Sequence, residues 1–329
     1  MARNPIKFTE EELQELTDNF SSKIFIGGQS DRIYRGFIDD VEVHVKLYKH
    51  ALDDDLINEV LFKVEKQRLT EMQYPGIIKI IGYGKTDEDG MIVYQKTNRC
   101  LNFMLDELDW KSSLKIMKQV ATALNDIHSH TYPPFVFADL CLEDVLIDED
   151  YNIKLTDLGE VLPEGYNDRR VFVTLCAPEL VTKGERTVKS DTYCFGLLML
   201  QLLTLDMEME NGYPYGIPIT EMARNMVKSR SHVVNETLLR KGCSWIKAVA
   251  ITKLAMQCLE NNPIVRPSMI QIIDKLHLIE MPGTATDLLT MDVLWCVLKS
   301  TSSKVIAWCT TTLCNGFMSI RTLCSLQLY

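Results

Sequence analysis

Six stretches of this 329-residue chain hold side chains able to do acid, base or ion-pair chemistry. They are VHVK ending at Lys46, FADLCLED (Phe137–Asp144), DLG opening at Asp157, APE closing at Glu179, SDTYCFG around Asp191, and NPIVRPS around Arg266. A lysine closing a strand is a fixed cation for an anionic group, and carboxylates suit a hard cation or a transferable proton. The ten cysteines offer less, because they are scattered without a C-x-x-C pair or a nearby histidine cluster. Neither a disulfide framework nor a zinc site is expected from that spacing, and reduced, mostly buried thiols are.

These stretches need a scaffold, and the composition supplies one. With 46% apolar and 24% charged residues the chain is ordinary for a globular protein large enough to bury a sizeable core. Its 45 acidic against 35 basic residues leave a net charge of -10, which argues against nucleic acid as a partner. The opening Met-Ala-Arg-Asn-Pro has neither a signal-peptide core nor the glycine that myristoylation needs, so a cytoplasmic protein is expected.

The elements follow from pattern. Thr9 with Glu12 forms a capping box that predicts a short helix to about Asn19. From Lys23 to Tyr48 the β-rich runs KIFI, RIYRGF and VEVHVKLY, separated by Gly-Gly and Asp-Asp, predict antiparallel strands. A helix is predicted over about Asp55 to Met72, then strands around IIKIIGYG and MIVYQ. Beyond Gln95 the chain is mostly helical, with Leu114, Met117, Ala121, Leu124 and Ile127 on one buried face. The nearly all-apolar run Tyr193 to Leu205 is too short for a bilayer and predicts a buried central helix. Strands first and helices afterwards predict an α+β protein with a small sheet-rich lobe of about five strands and a larger helical one.

The order and spacing of the motifs resemble those of a protein kinase over about residues 8–281, with an N-lobe at about 20–95 and a C-lobe at about 98–281. Phrases such as IIKIIGYG and FADLCLEDVLIDEDYNIKLTDLG are most similar to plant receptor-like cytoplasmic kinases. NPIKF and PPFVF are similar to the branch known for pseudokinases that serve immune receptors. The resemblance implies ATP and magnesium as cofactors. It implies Lys46 on the α- and β-phosphates, Glu65 as its ion-pair partner and Asp139 as acceptor of the substrate hydroxyl proton. Asp157 and Asp144 become the magnesium ligands, the latter standing where the family has asparagine. Gly28, Ile33, Tyr94 and Leu146 fall at nucleotide-lining positions, Tyr94 at the back of the cleft. Glu179 and Arg266 match a buried ion pair, Asp191 an anchor of the catalytic-loop backbone, and Leu69, Ile80, Phe137 and Leu158 an apolar column joining the lobes, with Phe137 in place of a histidine.

Other positions depart from that pattern. The phosphate-covering loop keeps one of three glycines, with Ile26, Gly28 and Asp31 in place, and Asp31 puts a negative charge toward an anionic ligand. His44 replaces the alanine that packs on adenine. It either crowds the nucleotide or fills the slot as a satisfied core residue. Cys141 replaces the lysine that meets the γ-phosphate, a plain substitution competing with a nucleophilic thiol. Ala138 removes the arginine that pairs with a phosphorylated segment, and Phe172 replaces the threonine that supports the catalytic aspartate. Weak nucleotide binding is therefore expected.

Two functions compete: a pseudokinase adaptor for a receptor, kinase or immune-receptor component, and a weak ATP-dependent Ser/Thr kinase. A degraded, non-functional product is a third, against which the motifs in register argue. Recruitment to the plasma membrane would come through partners, since no transmembrane span is predicted. The last 48 residues, 282–329, lie beyond the resemblance and leave open a docking helix or an aberrant end. They are expected to add little to the core.

Overall fold

The computed structural model describes residues 4–24, 32–48, 55–86, 89–96, 99–166, 177–205 and 219–281. The expectations for Ile26, Gly28, Asp31, Phe172 and the 282–329 tail lie outside the described residues.

The N-lobe is one sheet. Its strands are β1 (Ile6–Phe8), β2 (Lys23–Ile24), β3 (Ile33–Ile38), β4 (Val41–Tyr48), β5 (Ile80–Lys85) and β6 (Gly90–Gln95). They lie in the order β1-β5-β6-β4-β3-β2, so the described sheet has six strands rather than about five. The additional one is β1, which runs parallel to β5 with Ile6 opposite Gly82. All other pairings in this sheet are antiparallel. Asp39 and Asp40, both at positive φ, make the tight turn between β3 and β4.

Helix α1 (Glu10–Leu16) begins at the Thr9 capping box and ends earlier than the sequence pattern predicts, because Asp18, Asn19 and Phe20 turn to positive φ. Leu13 is fully buried and packs with Val43, Val45 and Leu47 on the outer face of the sheet. Thr9→Ala should cost about 1 kcal/mol, measured by urea denaturation, because the Glu12 N–H loses its Thr9 Oγ1 acceptor, while the bond from the Thr9 N–H to the Glu12 carboxylate remains.

The alternation that sends Val43, Val45 and Leu47 outward sends His44, Lys46 and Tyr48 to the opposite, inner face of β4. Helix α2 (Asp55–Glu71) packs on this inner face. It seats closely because Gly90 carries no side chain: a Cβ there would stand 2.5 Å from the Phe62 ring.

The C-lobe holds short strands and larger helices. Strand β7 (Arg99–Cys100) precedes α3 (Trp110–Ser129), and β8 (Phe135–Val136), β9 (Val145–Ile147), β10 (Ile153–Leu155) and β11 (Leu162–Pro163) follow. They form a β10-β9-β7 sheet and a β11-β8 ladder. Then come α4 (Pro178–Lys183), α5 (Val188–Thr204), α6 (Ile219–Arg230), α7 (Glu236–Arg240), α8 (Trp245–Cys258) and α9 (Met269–Glu280). The expected face of α3 is buried, and α5 is apolar and enclosed through almost its whole length. Leu69, Ile80, Phe137 and Leu158 all lie in the main core, in an α+β two-lobed arrangement.

Candidate active site

Strand β4, helix α2 and the turn after β10 bring three charges together. Lys46 Nζ lies 3.1 Å from the Glu65 carboxylate and also bonds the carboxylate of Asp157. Glu65 is fully buried and accepts two further bonds, from the Tyr94 hydroxyl at 2.8 Å and from the Tyr48 hydroxyl. Tyr94, expected at the back of the cleft, reaches this carboxylate from β6, while Tyr48, two residues beyond Lys46 on the same strand face, is a contributor that the motifs do not mark. Burial alone would push the Lys46 ammonium down, but the charges of Asp157 and Glu65 outweigh it and hold it well above its usual value. Burial, reinforced by the Glu65 charge, holds both tyrosines in the neutral, donating form.

The loop that carries Phe137 to Asp144 hangs from Asp191 on α5. Its carboxylate accepts the backbone N–H groups of Phe137 (2.9 Å) and Ala138 (2.5 Å), and His128 Nε2 lies 2.7 Å away. Ala138 needs that anchor, since its φ of 73° is left-handed, a conformation that costs an alanine about 1–2 kcal/mol. The strained turn presents the next residue, Asp139, half-buried. Asp157 is also left-handed, with φ 59°, in the turn that aims it at Lys46.

Cys141 and Asp144 bracket the short 3-10 turn that follows. The Cys141 N–H donates to Asp144 Oδ2 at 2.9 Å and its Sγ lies 3.1 Å from the same oxygen. Burial, then the neighbouring Asp144 charge, pushes the thiol far up, so it is a neutral donor and not a nucleophile. Burial and the charges of Asp157 and Asp139 also hold the Asp144 carboxyl well above its usual range, against the two bonds from Cys141. These three aspartates therefore share one electrostatic neighbourhood, and no lysine stands at 141 to neutralise it.

His44 is buried on the inner face of β4 with Nε2 3.7 Å from Glu42, which also pairs with Arg35 (3.1 Å) and Lys96 (2.6 Å). Burial holds the imidazole below its usual range, with Glu42 opposing, so His44 is neutral near pH 7. It opens on a cleft of about 1020 Å³ lined also by Ile24, Lys96, Ile147 and Tyr151. Lys46 and Asp157 lie outside its lining. Ile33 and Leu146, predicted to line the nucleotide, are buried at 7% and 2% exposure in β3 and β9.

Two buried arginines have no counterpart in the sequence reading. Arg186, before α5, donates Nη1 to the Phe137 carbonyl at 3.4 Å, bringing a cation to the loop that Ala138 leaves without one. Arg68 lies on α2 one turn beyond Glu65. A charged residue in a helical or loop pattern reads as surface, and only the tertiary fold encloses it.

At the base of the C-lobe, Glu179 and Arg266 form a bidentate pair at 2.6 and 2.8 Å, as their resemblance to a buried ion pair implies.

Comparison with known proteins identifies the family. The family model for protein tyrosine and serine/threonine kinase matches residues 21–276. The probable serine/threonine-protein kinase PBL16 of Arabidopsis thaliana is 30% identical over 84% of this chain and 74% of its own length. Serine/threonine-protein kinase PBL34 of the same plant is 29% identical, over 87% of this chain and 64% of its own length. An EPD1-interacting receptor-like cytoplasmic serine/threonine-protein kinase of Nicotiana benthamiana is 30% identical, over 82% and 63%. The chain thus spans about two-thirds of the length of these relatives. Among the described residues no helix is long and apolar enough to cross a membrane. By its family match and its two-lobed fold, the chain belongs to the protein tyrosine and serine/threonine kinase family and is similar to the plant receptor-like cytoplasmic kinases.

Proposed function

We propose that the chain is a kinase-shaped adaptor in receptor or immune signalling, a pseudokinase whose phosphoryl transfer is weak or absent. The observation that carries this is Cys141, a neutral thiol bonded to Asp144 where transfer calls for a cation beside the γ-phosphate. The functional unit is residues 8–281, and its partners are proteins: a receptor, a kinase or an immune-receptor component. The receptor-like cytoplasmic relative supports a place in the cytoplasm, and recruitment to the plasma membrane would come through those partners.

ATP with magnesium, when bound, supplies the phosphoryl group. The inner half of the site suits it. The Asp157 charge disfavours the charged form of Asp144, a tension that a divalent cation relieves, and Lys46 is charged and held in place. The outer half suits it less, because the His44 imidazole occupies the inner face of β4 where a methyl would leave room for a base. Asp139 would take the proton of a substrate hydroxyl.

A weak Ser/Thr kinase is the second reading, favoured by the assembled Lys46, Glu65 and Asp157. Titration of the purified chain with Mg·ATP, followed by radiolabelled transfer to itself and to a generic acceptor, separates the two. Weak binding and transfer equal to that of Asp139→Asn are expected. Robust transfer that Asp139→Asn abolishes would establish the second reading instead.

A further inference from the structure

Helix α2 presents Glu65 to Lys46, and Arg68 lies one turn further along the same side of the helix. Whatever fixes Arg68 therefore fixes the rotation and the inward position of α2. Arg68 is 7% exposed, and its guanidinium is engaged in three ways. Its guanidinium carbon lies 3.9 Å from the centroid of the Phe135 ring. Its Nε donates to the Val161 carbonyl at 3.0 Å, and its Nη1 lies 3.3 Å from the Glu71 carboxylate.

The contacts join three parts of the molecule. Glu71 is the end of α2 itself. Phe135 begins the strand that runs directly into Phe137, Ala138 and Asp139. Val161 closes the turn that starts at Asp157. Phe135 is also linked back toward α2 by a second route: the His130 ring stands 6.1 Å from it, and His130 Nδ1 is 2.9 Å from the Tyr74 hydroxyl, just beyond the helix.

We propose that Arg68 is a positioning residue, a latch that clamps α2 to the catalytic-loop strand and keeps Glu65 on Lys46 without any phosphorylated group. In kinases where a phosphorylated segment sets the position of this helix, an arginine of the catalytic loop receives the phosphate. Ala138 offers no such cation here. A desolvated guanidinium stacked on an aromatic face and bonded to a buried carbonyl supplies the fixing contact from the helix side, independent of modification. This holds whether or not the chain transfers phosphate, so a failed transfer assay leaves it standing.

The test is hydrogen–deuterium exchange on the full chain, before and after phosphatase treatment, with Arg68→Met, Arg68→Lys and Phe135→Leu. In the unmodified chain, phosphatase should leave the protection of α2 unchanged. Arg68→Met keeps the apolar stem and removes the guanidinium. It should speed exchange of the α2 amides about tenfold while α5 and α8 keep their rates. Arg68→Lys restores a cation over the ring without the bond to Val161, and should recover part of the protection. Phe135→Leu, which keeps an apolar residue in the core, should loosen α2 in the same way and serves alone if Arg68→Met does not fold. Three results would overturn the proposal: α2 exchange at the unmodified rate in the variants, equal acceleration in α5 and α8, or loss of α2 protection on dephosphorylation of the unmodified chain.

Discussion

Glu179→Ala is expected to remove about 3–5 kcal/mol of stability, the range for breaking a buried ion pair from one side. The Arg266 left behind is 2% exposed and held by the carbonyls of Glu260 and Lys189 at 2.7 and 2.8 Å. It also lies 4.9 Å from the Tyr193 ring, so it cannot swing out to water without unpacking α5. Glu179→Gln should cost less, because the amide oxygen still accepts one guanidinium bond and the bond from Ser190 Oγ, which lies 3.2 Å from the carboxylate in the unmodified chain. Urea denaturation at constant pH measures both.

The same pair sets a pH dependence. Burial raises the Glu179 carboxyl, but the hydrogen bond and charge of Arg266 outweigh it and leave the group below its usual value of 4.5. A folded value below the unfolded one means the stabilisation is fully present above about 4.5 and is lost as pH falls through the lower, folded value. The unmodified chain should therefore lose stability in that acidic window, and Glu179→Gln should lose less of it there.

Local chemistry explains what the sequence made legible. The Thr9 capping box, the Asp39–Asp40 turn and the buried face of α3 each depend on residues a few positions apart, and each lies where its pattern places it. Strand β1 is missed because three residues are too few to show alternation, and its partner β5 is more than 70 residues away. The end of α1 is missed because nothing in Thr17 to Phe20 forbids continued helix until Asp18, Asn19 and Phe20 take left-handed conformations. In the site, Lys46 and Glu65 are marked by motif order, but Tyr48 is not, because its hydroxyl meets Glu65 only once β4 and α2 pack. Arg68 and Phe135 lie in separate elements of unremarkable pattern, and only the fold stacks them. His44 is buried beside Glu42, which fits a satisfied core imidazole, and its place on the inner face of β4 keeps the crowding alternative open for the His44→Ala test.

Restoring Cys141 to lysine is expected to raise any phosphoryl transfer by on the order of 10²–10³, the cost of removing one preorganised electrostatic donor run in reverse. The geometry says what the new side chain would meet. At present the Cys141 thiol and N–H both point at Asp144 Oδ2, and Asp144 is disfavoured as an anion by burial and by the charges of Asp157 and Asp139. An ammonium among these carboxylates would lower the Asp144 carboxyl value and favour the charged form that holds a metal. His44→Ala acts on a different step, widening the inner face of β4 without touching Lys46, Asp139 or Asp157. It should tighten Mg·ATP binding and leave turnover per bound nucleotide unchanged, whereas Cys141→Lys should raise turnover with little change in affinity. The pair together should exceed either alone, since one corrects the bound state and the other the developing charge. Radiolabelled transfer over a range of ATP concentrations, with Asp139→Asn in each background, reads both parameters. If Cys141→Lys moves affinity alone, or the double variant remains as inert as its Asp139→Asn control, then the missing cation is not what limits this site.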